Sequence, residues 1–259
     1  RHVRAYAEAT HMSAPPPADP RLPPLYRLAA IDGGSDAFGQ ALALAAGQAE
    51  DGTVVWSRRT DRLDCAIVFR TEARLSDVLP VVYAVALGLG DAIGALAPPI
   101  VALHFQWPDR FEVNGAFAGG LRAGWPAGVA ADAATWLVIG VCVAIASPGV
   151  KASSAEIETT TLHDEGCADI TAVGLLESFS RHALAWINRW QDDGFAPVRE
   201  AWLSRATGLR EESGLAIGGD RVAGRFAGLD EQGGLLVIVD RRTRTLGLAD
   251  ALRQPSWNL

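Results

Sequence analysis

Three arginines stand within five residues in the stretch WSRRTDRLD, residues 56–64. A guanidinium presents a planar fork of N–H donors that matches the paired oxygens of a carboxylate or phosphate. Arg58, Arg59 and Arg62 are therefore a candidate anion clamp. The same stretch offers Asp61 and Asp64 as local partners, which would make it a solvated charged loop instead. Trp56, just before them, is either a pocket floor or a half-buried strand residue. A second cluster falls at Gln106, Trp107, Pro108, Asp109 and Arg110, followed by Gly119, Gly120 and Arg122. Asp109 offers a carboxylate to a cation or a ligand hydroxyl, or else closes a turn. Arg110 and Arg122 supply positive charge. Gly119 and Gly120 permit a ligand to approach the backbone closely, or mark a strand bulge.

Other reactive side chains are sparse. The only lysine is Lys151, so any chemistry that needs an ammonium must use it. His104 sits in an apolar strand pattern and reads as a core histidine. His163, Asp164 and Cys167 have ligand chemistry without the spacing of a metal site, and no metal is assigned. No catalytic residue is assigned.

Local patterns indicate the elements that position these groups. Ser35 or Asp36 can cap a helix over 37–49. TVVWS (53–57) and 65–69 read as strands joined by a short polar connection, an antiparallel pair. A long apolar helix is expected over 76–96, and strands over 101–105 and 111–113. Asn114-Gly115 is a hairpin turn with its return strand at 117–123. A β-branched strand covers 135–145, and helices follow over 172–192 and 196–206. From Gly214 onward, short strands at 214–217, 221–226, 235–240 and 243–248 alternate with glycines, the texture of a small β-barrel.

The 259 residues are 49% hydrophobic and 20% charged, enough to bury a sizeable core. A net charge of -7 argues against DNA as a partner, because phosphate neutralisation needs a dense basic surface. Three cysteines make no disulfide framework, and no apolar stretch reads as a membrane span. A cytoplasmic protein is expected. Met12 is the only methionine, so translation is expected to start there. Residues 1–24 then read as a leader and a proline-rich disordered segment, 25–210 as the main domain, and 211–259 as a small β module.

The motifs together resemble the biotin/lipoate protein ligase family. QWPDRFEVNGAFAGGL (106–121) is similar to its K-W-P-N-D-x-x-x-x-x-x-K-x-x-G hairpin. TWLVIGVCVAI (135–145) is similar to its V-I-G-x-G-I-N strand, and GLDEQGGLLV (228–237) to the G-I-D-x-x-G-x-L motif of its C-terminal barrel. The resemblance implies an α+β fold, a mixed or antiparallel sheet packed with helices of the class II aminoacyl-tRNA synthetase/biotin ligase-like kind, plus a small SH3-like barrel. It implies activation of a carboxylic acid such as biotin or lipoate with ATP and Mg2+, then transfer to a lipoyl/biotinyl-type acceptor or acyl-carrier protein. It places the ligand near Trp56, Arg58, Arg59, Arg62, Gln106, Trp107, Asp109, Arg110, Gly119, Gly120 and Arg122.

This sequence departs from the pattern where phosphate would be held. Gln106 stands in place of the lysine before Trp-Pro, and Ala116 or Phe117 in place of the second lysine. The glycine- and arginine-rich loop G-R-G-R-x-G-R is reduced to 56–64, with no glycine to let the backbone wrap a phosphate. Standard ATP-dependent biotin ligation is therefore not expected. Two functions stay open: a divergent ligase or acyltransferase, and a non-catalytic ligand-binding or scaffold protein of the same fold.

Overall fold

The computed structural model describes residues 18–127, 134–147, 159–217 and 220–257. Lys151, Met12 and the expected leader lie outside the described residues. Of the proline-rich segment, residues 18–24 have no regular secondary structure but are tied to the body. Asp19 pairs with Arg58 at 2.6 Å, the Arg21 amide donates to Glu177, and Leu22 packs on the core. The expected disorder does not extend to Asp19, Arg21 and Leu22, because each has a partner on the folded body.

The main sheet has seven strands in the order β1-β2-β3-β7-β6-β5-β4. They are β1 (Arg27–Ile31), β2 (Thr53–Ser57), β3 (Arg62–Arg70), β4 (Leu103–Gln106), β5 (Arg110–Val113), β6 (Ala116–Gly124) and β7 (Trp136–Ala144). Only β1 and β2 run parallel; the other neighbours are antiparallel. The sheet is thus mixed and the class α+β, as the sequence implies. β1 was not expected: RLAAI has no clean alternation, and the strand lies at the sheet edge, with Arg27 exposed and 28–31 half-buried. β3 begins three residues earlier than its apolar run, because Arg62 and Asp64 continue the ladder opposite Ala144 and Cys142 of β7.

Each face of the sheet is covered differently. On one face lies α1 (Ala37–Ala46), capped by Asp36, whose carboxylate accepts the Gly39 amide. Its Ala37, Ala41 and Ala45 share one helix face and pack on Val55, Ala66, Val68 and Val138. Gly140 makes room for Phe38, since a Cβ there would lie 2.8 Å from that ring.

The opposite face carries α3 (Val81–Leu96) and α4 (Ala172–Asp193). The helix expected over 76–96 is broken into α2 (Leu75–Val78) and α3, because Pro80 lacks an N–H and cannot continue the first helix. The Leu75–Leu96 stretch is long and apolar enough to cross a membrane, yet 72% of its most apolar window is buried. It is a core helix here. The one charge within α3, Asp91, accepts the Trp186 indole N–H at 2.7 Å and pairs with Arg205 at 2.8 Å. A short helix, α5 (Phe195–Leu203), follows α4.

The later strands form a separate antiparallel sheet in the order β11-β10-β9-β8: β8 (Glu212–Ile217), β9 (Asp220–Leu229), β10 (Leu235–Val239) and β11 (Arg242–Leu246). A single turn, α6 (Leu248–Ala251), comes next. The two sheets meet at Tyr83 on α3. Its hydroxyl donates to the Gly233 carbonyl and accepts the Trp107 indole N–H at 2.9 Å.

Candidate functional site

Strand alternation decides which candidate residues can meet. Leu63 and Cys65 of β3 face the α3/α4 core, so Arg62 and Asp64 project to the α1 face. Cys142 of β7, directly opposite Asp64, faces the same way, as does Arg122 of β6. These residues meet the loop that precedes α1. Together Gly34, Ser35, Asp36, Arg59, Arg62, Asp64, Arg122, Cys142, Pro255 and Trp257 line a cleft of about 280 Å³.

The charges of the cleft are arranged as pairs. Arg122 donates to Asp36 at 2.7 and 3.4 Å, and its guanidinium lies 3.9 Å from Asp64 and 4.8 Å from the Phe38 ring centroid. Arg59 grips Asp61 with two bonds of 2.8 and 2.6 Å and also donates to the Gly33 carbonyl. Arg62 bonds the Cys142 thiol and reaches Asp61 at 3.4 Å, so among the described residues it is the guanidinium of the three whose nearest carboxylate contact is longest. Burial works to raise the Asp61 carboxyl, but Arg59 and Arg62 outweigh it and hold it below its usual value. Burial dominates at Asp64 and pushes it up, although it accepts the Ala37 amide at the start of α1. Burial likewise pushes the Cys142 thiol up to about 11, so it is not a nucleophile near neutral pH.

Of the residues singled out in the sequence, Arg59, Arg62 and Arg122 meet in this cleft. Trp56 does not floor it. Two-residue alternation turns this fully buried ring into the core on the opposite face, where its Nε1 has no hydrogen-bond partner among the described residues. Arg58 follows it, with its guanidinium 5.9 Å from the Trp56 ring centroid and paired to Asp19. Gln106 accepts a 3.4 Å bond from Arg110, whose guanidinium packs on Phe117. Trp107 joins the two sheets through Tyr83. His104 is exposed on the edge strand β4 rather than in the core, since its neighbours Leu103 and Phe105 take the inward positions.

Asp109 and the glycines serve an unexpected partner. Asp109 is 2% exposed, and its carboxylate accepts both the amide and the hydroxyl of Ser256. The next residue, Trp257, lies against Gly120, where a Cβ would fall 2.2 Å from the indole nitrogen. Gly119 lies at the register shift between β5 and β6, so the bulge expectation holds there. A Cβ at Gly119 would meet the Cys142 carbonyl at 2.1 Å. Sequence reasoning missed Asp64, Cys142, Pro255 and Trp257 as cleft residues. The alternation of RLDCAIV carries a signal for Asp64, while nothing local marks a tryptophan that is brought in from residue 257.

Among the described residues, no group of three or more His, Cys, Asp or Glu is placed to hold a metal. His163 bonds the Ile170 carbonyl and Asp164 bonds Thr161, within their own loop.

A family model described as the biotin/lipoate A/B protein ligase family matches residues 22–204. The chain is 33% identical to a biotin protein ligase-like protein of unknown function from Silicibacter sp. TM1040, with a TM-score of 0.82 over 90% of this chain and 99% of that one. It is 28% identical over 158 residues to a biotin–[acetyl-CoA-carboxylase] ligase of Paracoccus denitrificans, which covers 60% of this chain and 65% of that relative's length. It also has the fold of biotin protein ligase from Aquifex aeolicus, solved in complex with biotin and ATP, at 16% identity and a TM-score of 0.67 over 86% of this chain and 96% of that one. With matching motifs, a matching sheet and a family match over most of its length, this chain belongs to the biotin/lipoate A/B protein ligase family.

Proposed function

We propose that the chain is a divergent biotin/lipoate ligase-like protein whose cleft binds a small carboxylic acid or its acyl form for an acceptor protein. The observation that carries this reading is the state of Arg62. It lines the cleft beside Arg122, where it bonds the Cys142 thiol and its carboxylate contact to Asp61 is long at 3.4 Å, so a ligand carboxylate can compete for its fork. The names of the relatives support an acid of the biotin class and a carboxylase-type acceptor, since the Paracoccus protein is a biotin–[acetyl-CoA-carboxylase] ligase.

The family resemblance implies ATP and Mg2+ as cofactors, and the cleft fits a triphosphate poorly. Arg59 is closed by Asp61 and Arg122 by Asp36, and Asp64 adds a third carboxylate. Three arginines facing three aspartates leave no surplus of positive charge for several phosphate charges. The arginine stretch 58–62 contains no glycine to supply a cradle of amides. A single carboxylate needs one guanidinium, and Arg62 provides it.

Gln106, and Ala116 or Phe117, standing where the family's hairpin has lysines, favour a second reading: a non-catalytic ligand-binding or scaffold protein. One experiment tests both. The purified protein is incubated with biotin, lipoate or octanoate, each with ATP and Mg2+, and followed by thermal shift, pyrophosphate release and mass spectrometry. The expected result is stabilisation by at least one acid without pyrophosphate. Absence of any shift overturns the acid-binding reading; pyrophosphate or an adenylate overturns the exclusion of the triphosphate.

A further inference from the structure

We infer that Trp257 sets the length of acid that the cleft accepts, its indole filling the place that the far end of a longer chain would take. The inference rests on the carboxylate reading of the cleft and deepens it, naming the residue that determines which acids fit.

The cleft is lined by the charged Asp36, Arg59, Arg62, Asp64 and Arg122 and by Cys142, Pro255 and Trp257, and the Arg122 guanidinium lies 6.0 Å from the Trp257 ring centroid, so the indole stands beside the charged groups. A carboxylate anchored at Arg62 therefore has the indole as the apolar surface against which its hydrocarbon can pack. The indole is held firmly as a wall. It is 8% exposed, its Nε1 donates to the Leu121 carbonyl at 3.0 Å, and its ring lies 6.3 Å from the centroid of Phe117. Only a glycine at 120 lets the ring come so deep. Trp257 also packs with Phe117 and Cys142 as a small apolar cluster of its own. Removing the indole would join that apolar floor to the cleft.

The wall is mounted on a thin strap. Residues 253–256 are exposed, and Ser256 fastens the strap through its two bonds to Asp109. Detaching Ser256 is thus a second way to withdraw the indole, from an exposed position outside the packed sheet.

The test measures equilibrium binding of butanoate, hexanoate, octanoate and decanoate to the full chain and to three variants. Burial of each methylene adds roughly fourfold in affinity, so two or three extra methylenes add about tenfold or more. In the wild-type protein, affinity should stop rising at the shorter acids. Trp257→Ala should raise the octanoate-to-butanoate affinity ratio at least about tenfold, and Trp257→Phe, which keeps a ring in place, should stay near wild type. Ser256→Pro removes both the amide and the hydroxyl that Asp109 holds and should behave like Trp257→Ala. It also keeps the test decisive if the alanine variant fails to fold. Equal chain-length profiles in wild type and Ser256→Pro overturn the inference alone. No acid bound by any of the proteins overturns the reading of the cleft and the inference with it.

Discussion

The carboxylate of Asp109 on the main-sheet hairpin holds Ser256 by both of its oxygens, across 147 residues of sequence. Removing one partner of a part-buried hydrogen bond leaves the other without its match. Asp109→Ala should therefore lower unfolding free energy by about 1–3 kcal/mol, and Ser256→Ala, which leaves the amide bond, by about 1 kcal/mol. Urea unfolding of the two single variants and the double variant checks this. The double variant should be little worse than Asp109→Ala alone, because both substitutions remove the same contact.

Asp64 and Asp109 have their carboxyl groups raised above the ordinary value of 3.8, in both cases chiefly by burial. The folded protein then holds those protons more tightly than the unfolded chain does. Between 3.8 and the raised folded values the native state binds more protons, so stability falls as pH rises through that window. The penalty is fully present above it. Asp64 is faced by Asp36, Arg62 and Arg122 and by the Ala37 amide, and these do not cancel the burial cost. Asp64→Asn cannot ionise, so its stability should decline less than that of wild type as pH climbs from about 4 toward neutrality. Urea midpoints measured across that range decide it; parallel curves would refute the assignment to Asp64.

The elements were legible where period and punctuation agreed. TVVWS became β2 at the expected residues, Asp36 caps α1, and Asn114-Gly115 turns the hairpin. Motif order gave the family because whole strands and turns are shared. The cleft was harder to read for two physical reasons. Trp56 and Arg62 belong to neighbouring strands, and which face each side chain takes depends on register, which a one-residue shift reverses. Trp257 reaches the cleft through a long-range contact, and its signature is the absence of a side chain at Gly120, which a sequence shows only as permissiveness.

Gly88 marks the crossing of α3 and α4. A Cβ there would lie 2.5 Å from the Ala183 Cα and 2.6 Å from its amide nitrogen, so backbone rather than a movable side chain blocks it. Better intrinsic helix propensity would favour alanine by about 1 kcal/mol, but the two helices would have to part. Overpacking of this kind costs about 1–3 kcal/mol, and the collision should win. Gly88→Ala is expected to lower the thermal midpoint, while Gly94→Ala, with nothing within 4 Å of its Cβ, should leave it unchanged or raise it. Differential scanning calorimetry of the two variants separates packing from propensity.

The three cleft arginines should separate by what each already holds. Arg59 is bidentate to Asp61 and also ties down Gly33, so Arg59→Ala should cost stability, about 1–2 kcal/mol, through a disordered loop. Arg122 is shared between Asp36 and the face of Phe38. The Asp36–Arg122 pair is partly exposed, and a double-mutant cycle should return a coupling of no more than about 1 kcal/mol. Arg62 holds the 3.4 Å contact to Asp61 and a bond to the Cys142 thiol, so Arg62→Ala should change stability by no more than about 1 kcal/mol. If its fork receives the ligand carboxylate, the same variant should lose acid binding by about tenfold or more, the worth of a charge-assisted hydrogen bond. Arg62→Lys should recover only part of that loss, because a lysine ammonium cannot bind both oxygens in one plane. Calorimetric titration of octanoate into the three alanine variants and Arg62→Lys checks the order. An Arg62→Ala protein that is fully stable and binds as well as wild type would move the anion site away from this cleft.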